Sequence, residues 1–133
     1  LELDKKAPSI KRRISTIKQL SEMGWKIGLR FDPLIYGKNW KDYYRELHEE
    51  IYSSLNLNTV HSISYGPLRF PSAMYNKIFD LYPEEKLFTG PFEQNNKVIS
   101  YKKEVEEEMT DYCQSISLKH LPKSIIFKCN YEN

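Results

Sequence analysis

The stretch "IGLRFDPLIYGKNW" (27–40) decides how this chain folds. It opens with the alternating apolar residues of a half-buried strand and then places Arg30 and Asp32 two residues apart. Residues two apart in an extended strand point to the same side, so the two charges share a face. The following residues, which include Tyr36, lead into a helix. We therefore predict a strand whose carboxyl end carries charges that water or a ligand can reach.

Outward from this stretch, hydrophobic spacing predicts helices that alternate with strands. The first helix has apolar residues at helical spacing and is expected to end at Gly24. Pro122 is expected to end the last helical region, and the segment 83–96 is the longest irregular stretch. The predicted helices after the first cover 39–55, 72–81 and 98–117, and the predicted strands cover 25–31, 59–65 and 124–129.

This order predicts an α/β fold in which helices cross over to bring parallel strands side by side. Three strands leave both sheet edges open and cannot close a barrel. We therefore expect residues 1–133 to form a single α/β region, the later portion of a partial β/α (TIM-like) barrel. The first residue is Leu1 and not Met, which fits the expectation of a carboxyl-terminal half of a larger protein.

Composition and charge exclude some classes of protein. The chain has 133 residues, 40% of them hydrophobic, and a net charge of +2, which by itself does not argue for nucleic acid. It has no apolar run long enough to span a membrane and no apolar signal core, so we expect a cytoplasmic protein. A basic run over 1–24 and an acidic run over 104–111 are both interpreted as solvated helix faces.

In parallel α/β folds the functional face lies at the carboxyl ends of the strands. Two loops are in that position, 31–39 and 66–71. We therefore expect Arg30, Asp32 and Arg69 to converge on one rim, where Arg69 could bind phosphate through its planar fork. Two alternatives stay open: Arg30 and Asp32 form a structural ion pair, and Arg69 is an ordinary solvated arginine.

Metal and catalytic motifs are not found in the sequence. Cys113 and Cys129 lie sixteen positions apart, which matches no zinc or iron–sulfur pattern. They could form one disulfide, but we expect both to be reduced packing residues. The histidines at 48, 61 and 120 complete no metal cage. The three glutamates at 106–108 point in different directions on a helix and are expected to be solvated. We assign no catalytic residue and no metal ligand to this chain.

Five strings, in this order, resemble the carboxyl-terminal part of the spore photoproduct lyase family, a branch of the radical S-adenosylmethionine enzymes. The resemblance covers nearly the whole chain, and each string is short. The strings are "APSIKRRI" (7–14), "GWKIGLRFDPLIY" (24–36), "LRF" (68–70), "YPEEKL" (82–87) and "IIFKC" (125–129).

The resemblance implies a partial β/α barrel that holds a [4Fe–4S] cluster and S-adenosylmethionine, whose reductive cleavage gives the 5′-deoxyadenosyl radical that starts repair of a thymine dimer in DNA. The family's cluster ligands lie upstream in a C-x3-C-x2-C loop, so this chain would hold no cofactor itself and would need the missing amino-terminal part. Arg69 and Phe70 match an Arg-Phe pair that leads to the lesion. Arg30 and Asp32 depart from the family's apolar strand, which indicates a relative with a different substrate or a different contact to the cofactor.

We therefore expect this chain to supply substrate or DNA contacts through Arg69, Phe70, Arg30, Asp32 and Tyr36, within a radical S-adenosylmethionine DNA repair protein. Two alternatives come from other classes. One is a non-catalytic nucleic-acid-binding module that uses the basic first helix and Arg69 to hold phosphates, and the other is a structural α/β domain.

Overall fold

The structure is a computed structural model that describes residues 10–74, 77, 91–95 and 97–128. Three α-helices, two short 3-10 helices (Leu57–Thr59 and Lys123–Ile125) and six strands have defined bounds in this part of the chain. The helices are α1 (Ile10–Glu22), α2 (Trp40–Ser54) and α3 (Lys103–Ser117). The strands are β1 (Ile27–Leu34), β2 (Val60–Pro67), β3 (Arg69–Pro71), β4 (Phe92–Asn95), β5 (Val98–Tyr101) and β6 (Ile126–Lys128).

The predicted parallel sheet is confirmed. Strands β1, β2 and β6 lie in that order, and both neighbouring pairs run parallel. Helix α2 connects β1 to β2, as expected for a crossover, because parallel neighbours cannot be joined by a tight turn. The strands begin and end within two or three residues of the predicted bounds. The described residues form an open three-stranded sheet, and the partial barrel stays a prediction.

Helix α1 ends as the sequence predicts. Gly24 adopts a φ of 85°, in the left-handed region that glycine enters without a steric penalty. The amide of Trp25 donates to the carbonyl of Leu20 at 3.1 Å, which caps the last turn of the helix. The chain then turns directly into β1.

A second, antiparallel sheet was not predicted. Its strand order is β3-β5-β4, so the segment 66–71 is not a loop and β4 lies within the predicted irregular stretch. The helix predicted from residue 98 begins only at Lys103, because 98–101 form β5. These strands have three or four residues each, too few to establish a period-2 pattern against a neighbouring helix.

Two other predictions fall largely outside the described residues. Ser72–Met74 are helical, as expected for the helix over 72–81, but most of that segment and residues 83–90 are not described. Cys129, predicted to end the last strand, also lies outside the described part.

One face of the parallel sheet packs against α2 and α3 to form the core. Burial alternates along β1, where Ile27, Leu29 and Phe31 are buried and the residues between them are exposed. On β2 and β6 the same face carries Ile63, Tyr65 and Ile126, which are also buried. Helix α3 contacts β2 and β6 and packs beside α2.

His48 lies fully buried in this core and holds a polar chain together. Its ring stacks on Phe31 at 4.2 Å between centroids. Nδ1 lies 2.5 Å from the carbonyl oxygen of Tyr44, which can only accept, so Nδ1 carries the proton. Nε2 is then an acceptor and lies 3.3 Å from the hydroxyl of Tyr65, whose one hydrogen is shared between Nε2 and the carbonyl oxygen of Cys113 at 3.2 Å; that hydroxyl also contacts Ser117. The buried ring is therefore neutral.

The burial of His48 predicts a loss of stability in mild acid. Desolvation lowers the pKa of His48 from 6.5 to about 4, although its bond to the Tyr44 carbonyl opposes the shift. Below pH 6.5 the unfolded chain binds a proton that the folded chain does not, so stability falls as the pH drops towards 4, by up to about 3 kcal/mol.

Urea denaturation between pH 4 and pH 7.5 measures this loss. In His48→Gln the pH dependence over this range should become shallower, whereas His61→Gln, at an exposed position, should keep the wild-type slope. Equal slopes in the wild type and His48→Gln would show that His48 is not the titrating group.

Candidate functional site

The face of the parallel sheet that α2 and α3 leave uncovered carries small and polar side chains. Strand register places Arg30 beside Ser64, and Ser64 beside Phe127, in one row across the sheet. Parallel sheets normally have both faces covered, so an open polar face of this kind is suited to a ligand or to another part of a protein. We call it the open face; its residues are Gly28, Arg30, Asp32, Ser62, Ser64, Gly66 and Phe127.

Arg30 and Asp32 form a close ion pair on the open face. The Nε and Nη2 atoms of Arg30 lie 2.9 and 2.8 Å from the same oxygen, Oδ2 of Asp32. The two side chains are 51% and 28% exposed. A pair this exposed contributes about 0–1 kcal/mol to stability, so it orients two charges more than it holds the fold together. The other carboxylate oxygen, Oδ1, takes no part in this pair.

Gly66 makes room for the carboxylate of Asp32. A Cβ atom at position 66 would lie 2.8 Å from Cγ and 2.9 Å from Oδ2 of Asp32. Real Cβ atoms do not approach other atoms this closely, so the carboxylate rests where any other side chain would stand. The end of β2 therefore presents bare backbone beneath the Asp32 carboxylate, a role the sequence analysis did not assign to Gly66.

Arg69 is held by α3. Its Nη2 atom lies 3.0 Å from Oε1 of Glu106, and the two side chains are only 25% and 13% exposed. Glu106 was predicted to be solvated, and this prediction is wrong. Burial raises the pKa of Glu106, and Glu93 adds to the effect, while Arg69 opposes it. The pair joins the antiparallel sheet to α3, so the structure brings Arg30 and Asp32 together and gives Arg69 a separate partner.

The other two predicted site residues take part in aromatic packing. Phe70 is buried in β3 and meets Phe92 edge to face at 6.3 Å. Tyr36 is partly buried, and its backbone amide donates to the hydroxyl of Tyr101 at 3.0 Å. Trp40 is buried against Tyr36. These contacts join the second sheet to the loop that follows β1.

A cleft of about 430 Å³ lies against β1 between α1 and α2. Its walls are mostly apolar, but Arg13, Arg30 and Asp32 also line it. The Arg30–Asp32 pair is therefore accessible from both the open face and this cleft. The apolar lining is formed mainly by Ile10, Ile14, Ile17, Leu29, Phe31, Ile35, Leu47 and Ile51.

Cys113 is not suited to ligation or nucleophilic chemistry. It is fully buried, and burial raises the pKa of its thiol to about 12, so it remains protonated at neutral pH. Among the described residues, no group of three or more His, Cys, Asp or Glu side chains could hold a metal ion. In the same part of the chain, no helix is both long and apolar enough to span a bilayer.

The fold has clear relatives among solved structures. No protein-family model matches the chain, and no curated protein matches it by sequence. The class that the fold defines is a mixed α/β architecture similar to the radical S-adenosylmethionine fold. Within this class, the structures that match are those of spore photoproduct lyase, so the resemblance predicted from the sequence is confirmed at the level of fold.

Three of these structures show the extent of the match. A double mutant with bound AdoMet and dinucleoside spore photoproduct has a TM-score of 0.74 at 17% identity, covering 96% of this chain and 39% of that one. A single mutant with dinucleoside spore photoproduct gives 0.72 at 18%, covering 91% and 38%. A tyrosine-to-phenylalanine mutant gives 0.70 at 17%, covering 94% and 39%. The chain therefore spans about two fifths of the length of these proteins.

Sequence analysis missed Ser64, Gly66 and Phe127 as members of the open face. Side chains alternate between the two faces of a strand, so each of these residues lies on the same face of the sheet as Arg30. This can be recognised only when the register between the strands is known. Glu106 was missed for a different reason. Its partner Arg69 lies 37 residues away, and only the packing of the second sheet on α3 brings them together.

The contact between Asp32 and position 66 predicts a coupled pair of substitutions. Gly66→Ala should destabilise the protein by about 1–3 kcal/mol, because the new methyl group overlaps the carboxylate. In an Asp32→Ala background most of this cost should disappear. Gly37→Ala is the control, since a Cβ there meets no atom within 4 Å. Equal costs of Gly66→Ala in both backgrounds, measured by chemical denaturation, would contradict the overlap.

The partly buried pair of Arg69 and Glu106 predicts a difference between two glutamates of one helix. Glu106→Ala should cost about 1–3 kcal/mol, because it leaves the guanidinium partly buried beside an apolar methyl group. Glu108→Ala is the matched control, since Glu108 is exposed and lies 3.6 Å from the equally exposed Lys41. Its cost should be below about 0.5 kcal/mol. Similar unfolding midpoints for the two variants would rule out a structural role for the Arg69 pair.

Proposed function

We propose that this chain is the carboxyl-terminal part of a radical S-adenosylmethionine, spore-photoproduct-lyase-like DNA repair protein and that it contributes contacts to the DNA substrate. The observation that carries the proposal is the open face. The parallel sheet has helices on one side and Arg30, Asp32, serines and glycines on the other, where a ligand can reach them. The fold is shared with solved structures whose ligands include AdoMet and dinucleoside spore photoproduct.

The Arg30–Asp32 pair would make the substrate contact. Arg30 supplies a half-exposed guanidinium that suits a phosphodiester, and Asp32 holds it in place through Oδ2. Oδ1 of Asp32 can accept from a base N–H or a sugar hydroxyl. Arg69, Phe70 and Tyr36 would act mainly by positioning the second sheet, with Arg69 retaining any DNA contact only through the part of its side chain that Glu106 leaves exposed.

The described residues do not fit an iron–sulfur cluster. Cys113 is a buried thiol, and the structure describes no set of side chains that could ligate a metal. The cluster and S-adenosylmethionine, which supply the radical that starts repair, would be held by an amino-terminal part of the same protein. This chain would supply shape and charge on the substrate side.

A nucleic-acid-binding module without catalysis is the second candidate. Helix α1 exposes Lys11, Arg12 and Arg13 within one turn, and this concentration of positive charge is suited to phosphates. In that case DNA affinity would depend on α1 and not on the open face.

Repair of spore photoproduct in DNA tests the first proposal. The protein from the full reading frame, reconstituted with iron, sulfide, S-adenosylmethionine and a reductant, should convert an oligonucleotide that contains the lesion back to thymines. Arg30→Ala should lower kcat/KM about 10-fold or more, as expected for loss of one charge-assisted contact. Arg45→Ala is the matched control, because Arg45 is an exposed arginine that pairs with Asp42 across one turn of α2.

Three outcomes separate the candidates. The repair proposal would be contradicted if the full reading frame contained no C-x3-C-x2-C motif. It would also be contradicted if the reconstituted protein left the lesion intact. Equal activity of Arg30→Ala and Arg45→Ala would remove Arg30 from the site. DNA binding that weakens on substitution of Arg12 and Arg13, with a smaller salt dependence and no repair, would favour the binding module.

A further inference from the structure

Phe127 is a large apolar side chain in an otherwise small and polar surface. It lies on β6 directly after the buried Ile126, and it is 52% exposed. Its neighbour on the open face is Ser64, and beyond Ser64 lies Arg30.

The row has the dimensions of a nucleotide. Neighbouring strands lie about 4.8 Å apart, so the backbone at Phe127 is roughly 10 Å from the backbone at Arg30. The register places Ser64, a small polar residue, between Arg30 and Phe127. A planar base against the ring would place its phosphate on the side of the arginine.

We propose that Phe127 is a base-stacking residue of the open face and that it stacks on a base of an unpaired DNA strand, while Arg30 holds the adjacent phosphate. This inference rests on the proposed function and names a binding residue of that site. A phenyl ring offers stacking area and no hydrogen bonds, so it recognises the face of a base and not its edge. Oδ1 of Asp32 would then be the group that contacts the base edge.

The chain provides a matched aromatic control. Trp25 is 60% exposed, but it lies in the turn before β1, at the amino-terminal end of the parallel strands and away from the row. If any exposed aromatic side chain contributed to DNA binding, substitution of Trp25 and of Phe127 would weaken binding alike. If the stacking site lies on the open face, only substitution of Phe127 weakens it.

Fluorescence anisotropy with two probes tests the inference in the full-length protein at low salt. The probes are a fluorescein-labelled eight-residue thymidine oligonucleotide and an abasic oligonucleotide of the same length and charge. Phe127→Ala should weaken binding of the thymidine probe about 5- to 100-fold, the range expected for one stacked base. Binding of the abasic probe should change less than about 2-fold, because no base is present to stack.

Other variants complete the design. Phe127→Tyr should restore most of the affinity for the thymidine probe, Trp25→Ala should change neither probe, and Arg30→Ala should weaken both. Retained circular dichroism and thermal midpoints would confirm that Phe127→Ala folds.

The inference is overturned if Phe127→Ala binds the thymidine probe as well as the wild type, if it weakens both probes equally, or if the wild type binds neither probe. The proposed function can fail separately. Base-dependent binding through Phe127 in a protein that does not repair the lesion would leave the stacking site in place and remove the repair activity.

Discussion

The parallel pairing of β1 with β2 is the constraint on which the rest of the structure depends. Because side chains alternate along each strand, one register assigns Leu29, Phe31 and Tyr65 to the helices and Arg30 and Ser64 to the opposite face. A shift of one residue would bury the charged pair and expose the aromatic core. The core and the candidate site are therefore two consequences of the same hydrogen-bonded ladder.

The buried face of the parallel sheet, which packs against α2 and α3, contains several polar side chains. His48, Tyr65 and Ser117 form a continuous chain of hydrogen bonds between α2, β2 and α3, and the ring of His48 stacks on Phe31. Each donor has an acceptor, which avoids the cost of a buried polar group without a partner. Such a chain fixes the distance and rotation of the helices on the sheet, and so it also fixes the strands that carry the open face.

The second sheet changes how the arginines are interpreted. Arg30 and Arg69 look equivalent along the chain, since each lies near the carboxyl end of a parallel strand. In the structure, Arg30 is half exposed beside Asp32, whereas Arg69 is mostly buried against Glu106. Burial raises the pKa of Glu106 in spite of its cationic partner, which indicates that desolvation outweighs the attraction. The ion pair of Arg69 and Glu106 is therefore better explained as a contact that orients the second sheet on α3 than as a source of stability.

The sequence by itself determined the parallel sheet, the helices that flank it and the shared face of Arg30 and Asp32. Those features follow from local periodicity and from glycine at the end of α1, which act within a few residues. Tertiary structure alone decided the antiparallel sheet, the burial of Glu106, and the meeting of Asp32 with Gly66 and of Arg30 with Ser64 and Phe127. These depend on register and packing between segments far apart in the chain, and no local pattern encodes such distances.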